Sequence, residues 1–176
     1  MAARTETFDL GSLKLTSGEG AHADVTVPLD SLRFAEQTYR DPADQVEARL
    51  DVSRTTGNGY SMRLRFDAEL EGPCMRCLSD AGAHVEVDSR EVDQPAAGDE
   101  DLRSPYVDDG HVDLRSWARD ALALALPVQI VCAEDCLGLC VICGQNLNED
   151  PAHEHEREPD PRWAKLSELN LNPTDT

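Results

Sequence analysis

The chain has 176 residues with 35 acidic and 16 basic side chains, a formal net charge of −19. That length suits one domain with at most a small appended module, and it can bury about 70% of its unfolded surface. So acidic a chain is poorly suited to wrapping nucleic-acid phosphates, because such binding relies on Lys and Arg to release counterions.

The imbalance is uneven. Residues 1–66 carry ten acids and eight bases, whereas residues 67–176 carry twenty-five acids and eight bases. A basic protein is therefore an easier partner than bare nucleic acid for the second part. With three Phe, three Tyr and two Trp, the core has to be built mainly from Leu, Val and Ala. Met1 to Leu10 contains no apolar h-region, so no secretory signal is expected. The longest apolar run, Ala121 to Val128, is too short to span a bilayer and contains Pro127. A cytoplasmic, reducing setting follows as the expectation, and there clustered cysteines mean metal or redox work more often than disulfides.

In chain order, a short strand is predicted near Phe8–Leu10, and Val25, Val27 and Leu29 follow at period two. Asp41-Pro42 marks a turn. Val46, Ala48, Leu50 and Val52 alternate with polar residues up to Thr55-Thr56-Gly57-Asn58-Gly59. The alternation then resumes with Tyr60, Met62, Leu64, Phe66, Ala68 and Leu70, which predicts an antiparallel hairpin with one buried face. A second turn at Pro73–Cys77 leads into a returning strand with Ala81, Ala83, Val85 and Val87. Residues 88–104, rich in acid and carrying Pro95 and Gly98, are expected to be a mobile loop without a packed role.

A helix is predicted over 114–126. Asp113 is its N-cap, Leu114, Trp117, Ala118, Ala121, Leu122 and Ala125 form its apolar face, and Pro127 stops it. Val128–Val131 should be extended. Near the end, Asp160-Pro161 opens another helix, with Trp163, Leu166 and Leu169 as a docking stripe. The expected fold class is α+β: an antiparallel β-meander or barrel-like sheet with one packed helix and a C-terminal cysteine-rich zinc-knuckle segment. The β-rich part spans 1–131 and the cysteine-rich part 132–176.

All six cysteines fall in two clusters, Cys74/Cys77 and Cys132, Cys136, Cys140, Cys143. A C-x2-C step points both sulfurs to one side of a tight turn, and a following glycine can take positive φ, as Gly144 can after Cys143. No glycine follows Cys77, so its knuckle signature is weaker. His153 and His155 add two more donors, while His22, His84 and His111 show no grouping. Three partitions fit a structural zinc ion: Cys74/Cys77 with Cys140/Cys143, Cys132/Cys136 with Cys140/Cys143, or Cys140/Cys143 with His153/His155. Each saturates the metal with protein donors, which points to structure and not catalysis. No G-x-S-x-G, phosphate-binding glycine loop, dinucleotide fingerprint or H-E-x-x-H is present, so no enzymatic activity is expected.

Several stretches together resemble the YceD-like family of bacterial and plastid proteins. They are Cys74-Met75-Arg76-Cys77 after a strand, Asp113-Leu114 opening a helix that ends in Ala123-Leu124-Ala125-Leu126-Pro127, and the run Cys136-Leu137-Gly138-Leu139-Cys140-Val141-Ile142-Cys143-Gly144-Gln145-Asn146-Leu147-Asn148. Asp160-Pro161-Arg162-Trp163 closes the match. Many relatives carry a C-x-C pair where this chain has His153-Glu154-His155, and imidazole can replace thiolate at zinc.

The resemblance implies a non-enzymatic ribosome-biogenesis factor in the cytoplasm that supports accumulation of large-subunit ribosomal RNA. Its implied partner is a ribosomal protein or a pre-ribosomal large-subunit particle, with no membrane and no small-molecule substrate. Two other classes stay open. One is an RNA-binding module using Arg49, Arg63 and Arg65 on the polar face of the hairpin; the other is a thiol redox factor.

Overall fold

The alternating runs fold as their period dictates. In a computed structural model, which describes residues 6–95 and 102–155, Gln45–Arg54 and Tyr60–Pro73 form strands β5 and β6, paired antiparallel with Ser53 opposite Ser61. The turn between them places Gly57 and Asn58 at φ 77° and 64°, a conformation that glycine and asparagine tolerate best. Strand β7 (Asp80–Asp93) returns along β6, and β2 (Gly20–Pro28) lies on the far side of β5. The resulting sheet has the order β2-β5-β6-β7, with every neighbouring pair antiparallel.

The sheet is a meander and does not close into a barrel: among the described strands, β2 and β7 are its two edges. Two smaller sheets complete the first part. Strands β3 (Leu32–Phe34) and β4 (Gln37–Tyr39) form a hairpin, and β1 (Thr7–Asp9) pairs with β9 (His111–Asp113), which also pairs with β8 (Val107–Asp108).

One face of the large sheet is apolar. Val25, Val27, Val46, Ala48, Leu50, Val52, Met62, Leu64, Phe66, Ala68, Leu70, Val85 and Val87 are all buried there. Helix α1 (Leu114–Ala125) packs on β7 and β2 and buries Leu114, Trp117, Ala118, Ala121 and Leu122. Its end comes one residue before the expected 126, and Ala125 is exposed. Asp113 caps it, its carboxylate accepting from the Ser116 amide at 3.0 Å. The Trp117 indole donates to Ser89 Oγ at 2.9 Å and stacks on Tyr106.

The expected loop at 88–104 is corrected at both ends. Residues 88–93 belong to β7, and Asp93 is buried, accepting from Arg103 Nε at 2.9 Å and from the Ser104 amide. Ser104 is buried too and donates to Glu91 at 2.9 Å. Gln94 N donates to Leu102 O at 2.7 Å, while residues 96–101 and the second helix expected at Asp160 lie outside the described residues.

After α1, residues 128–131 form no strand, but Ile130 is buried and its carbonyl accepts from Met75 N at 2.9 Å. The chain divides into two compact units, Met1–Cys136 and Leu137–Thr176. The division falls five residues beyond the expected 131/132 because Cys132 and Cys136 are built into the first unit.

Candidate metal centres

Each cluster begins with the same backbone device. At the β6–β7 tip, Cys74 N donates to Ser79 O at 2.7 Å and Leu78 N donates to Cys74 O at 3.0 Å. In the second unit, Cys140 N donates to Gln145 O at 2.8 Å and Gly144 N donates to Cys140 O at 2.8 Å. The residue after the second cysteine is left-handed in both: Leu78 at φ 64° and Gly144 at φ 76°. The missing glycine after Cys77 therefore did not prevent a knuckle. Leucine adopts the conformation that glycine would have signalled.

The second pair of donors differs between the two. In the first unit, the segment after α1 runs back over the Cys74–Cys77 turn. The Arg76 guanidinium holds it there, donating to Gln129 Oε1 at 2.9 and 3.1 Å and to Cys136 O at 3.2 Å. Cys136 Sγ comes to 3.8 Å from Cys74 Sγ, and Cys132 Sγ to 3.5 Å from Cys77 Sγ. Cys74, Cys77 and Cys136 are buried and Cys132 is exposed.

In the second unit, a bridge between Leu139 and Asn146 closes the knuckle, and Leu147 N donates to Gly138 O at 3.0 Å. Asn148 Oδ1 accepts from Leu137 N at 2.8 Å, which accounts for the asparagine ending the Gln145–Asn148 run. The chain then turns so that His153 Nε2 and His155 Nε2 lie 3.1 and 3.2 Å from Cys143 Sγ and 2.9 Å from each other.

The donor atoms of each set lie within 4.8 Å of one another. Four thiolates at about 2.3 Å from a tetrahedral zinc ion stand about 3.8 Å apart, close to the first set's spacing. Both donor sets, four sulfurs and two sulfurs with two imidazoles, are those of structural zinc. The local electrostatics also favour ligation. The amides of Cys143 and Ile142 bring the Cys140 thiol down to about 6. Burial pushes the Cys74 thiol up, but the amides of Cys77 and Arg76 outweigh it and leave it at about 6. Cys132 is the exception, pushed up to about 12 by hydrogen bonding to the Cys77 and Cys136 thiols.

Of the three partitions open from sequence, the structure assembles Cys140/Cys143 with His153/His155. It groups Cys74/Cys77 with Cys132/Cys136, a combination the sequence reading had not considered. Each knuckle thus has a full complement of four donors within its own unit. His84, left unassigned from sequence, pairs with Glu69 at 2.7 Å and lies with Asp67 and Glu86 in an exposed acidic group.

A family model described as "Large ribosomal RNA subunit accumulation protein YceD" matches residues 62–170. The chain belongs to the YceD family. The YceD match takes in both knuckles and all eight donors.

Among curated relatives, an uncharacterized protein of Mycobacterium tuberculosis is 41% identical over 110 residues, covering 60% of this chain and 53% of the relative. One from Mycobacterium leprae is 36% identical over 101 residues, covering 54% and 46%. A Zea mays protein named "Large ribosomal RNA subunit accumulation protein YCED homolog 1, chloroplastic" is 30% identical over 82 residues, covering 47% and 24%. The chain thus spans about half the length of the mycobacterial relatives and a quarter of the maize protein. No solved structure matches it.

Proposed function

We propose that this YceD-family chain is a non-enzymatic ribosome-biogenesis factor that supports accumulation of large-subunit ribosomal RNA in the cytoplasm. On this reading it is an acidic scaffold, held in shape by structural zinc, that engages a basic ribosomal protein or a pre-ribosomal large-subunit particle. The observation that carries it is the family match over 62–170, which includes every candidate metal ligand. Saturated donor sets leave no open position for a reactive water, in keeping with a structural role. Among the described residues, no helix is long and apolar enough to cross a membrane.

The polar face of the large sheet supports a protein partner more than an RNA contact. Arg49 and Arg65 both pair with Asp51, at 3.1 and 2.7 Å, and Arg63 grips Asp88. The three arginines share two carboxylate partners, and Asp24, Glu47, Asp67 and Glu86 line the same shallow depression, leaving acid in excess there. Phosphates brought to this depression would meet its excess of carboxylates, which disfavours the contact. A redox role would show as thiols that respond to reductant, whereas ligated thiols are released by chelator.

The test is depletion of the protein in its own cell. The ratio of large- to small-subunit ribosomal RNA should fall and recover with the wild-type chain; an unchanged ratio rejects the role. Affinity capture adds the partner: recovery of ribosomal RNA alone, surviving removal of protein, would reject the basic-protein scaffold.

A further inference from the structure

The two units reach stability by different means. The first has an extensive core beneath its sheet, closed by Trp117, Leu114 and Leu122. In the second, no apolar side chain of residues 137–155 is buried; Leu137, Val141 and Ile142 are 54%, 92% and 57% exposed. Its described backbone bonds amount to one small hairpin and a few turns. A lone hairpin of that size is at best marginal in water. Among its described residues, the side chains of Cys140, Cys143, His153 and His155 converge with their donor atoms within 4.8 Å of one another.

We infer that residues 137–155 are a metal-conditional module: they fold around a zinc ion of their own and unfold when it is removed, while the β-sheet unit keeps its fold. The Cys74/Cys77/Cys132/Cys136 set takes a second, independent ion whose loss loosens only the 128–136 segment against the β6–β7 tip. The physical reason is the distribution of burial. In the first unit an ion adds to a core that already stands, whereas in residues 137–155 it takes the place of one. The inference rests on the metal part of the reading above and not on the ribosomal part. Its test reads ions and backbone protection, so its failure is separable from an unchanged RNA ratio.

The experiment uses the full chain, purified under reducing conditions and equilibrated with Zn²⁺. Elemental analysis should give two ions per chain. The His153→Ala/His155→Ala double variant should hold one, and the amides of residues 139–147 should exchange at least about a hundredfold faster while those of β5 and β6 keep their protection. Cys132→Ser, at the exposed ligand of the other set, should also hold one ion but leave amides 139–147 protected. Chelation of wild type should reproduce the exchange pattern of the histidine variant in 139–147. A single ion in wild type, loss of both ions in either variant, or protection of 139–147 that persists after chelation would overturn the inference.

Discussion

Leu78 and Gly144 occupy equivalent positions in two knuckles at different conformational cost. A non-glycine residue in the left-handed region is strained by about 1–2 kcal/mol, and the Leu78 side chain, 56% exposed, recovers little of that by burial. Leu78→Gly should therefore raise stability by up to about 1 kcal/mol, after the entropy glycine loses on folding. The reverse change, Gly144→Ala, meets no atom within 4 Å of the new Cβ. It should lower stability of the second unit by about 1 kcal/mol through backbone conformation alone. Thermal denaturation of the first variant and the zinc concentration needed to protect the second unit in the other would show these opposite shifts. At this scale the sequence spoke clearly for Cys140/Cys143 because a glycine advertised the turn. It spoke faintly for Cys74/Cys77 because leucine hides the same φ.

Strand β7 shows where hydrophobic periodicity stops being a guide. Its inward positions begin with Ala81, Ala83, Val85 and Val87, which the alternation revealed, and continue with Ser89, Glu91 and Asp93, which read as loop. These polar residues still face inward because each meets a specific partner: Trp117 Nε1, Ser104 Oγ, and Arg103 with the Ser104 amide. A buried acceptor with matched donors sustains a strand as well as valine does, but leaves no apolar pattern. Asp93→Ala would leave the buried Ser104 amide without that acceptor, and a loss of about 1–3 kcal/mol is expected in denaturant unfolding, centred on the end of β7. By contrast, β5, β6 and α1 were readable because their partners are simply water on one side and core on the other. The Asp113 cap was readable because its carboxylate serves its own helix.

Across the whole molecule, a net charge of −19 sets a self-repulsion that no single ion pair removes. Surface pairs such as Arg49–Asp51 and Arg115–Asp30 are exposed and contribute little each. Added salt weakens those pairs but also screens the much larger excess of acid. The melting temperature should therefore rise by a few degrees from low to physiological ionic strength; a fall would mean that local pairs outweigh the global field. The α+β class and the β5-β6-β7 meander were accessible from sequence because they follow from alternation and turn chemistry, whereas the place of β2 beside β5 was not. The grouping of Cys74/Cys77 with Cys132/Cys136 was not either, since it depends on where the segment after α1 runs, and that is decided by long-range contacts of Arg76 and Ile130.

The separation of donors along the chain also fixes an order of events on the ribosome. Cys74 and Cys136 are 62 residues apart, so at ordinary synthesis speeds the early pair waits about 3–12 s for its partners to emerge. Cys143 and His155 are only 12 apart, a delay of about 1–2 s. The nascent polypeptide thus presents one uncompleted dithiol turn for about a third of its synthesis, and oxidant stress is expected to reach that early pair first.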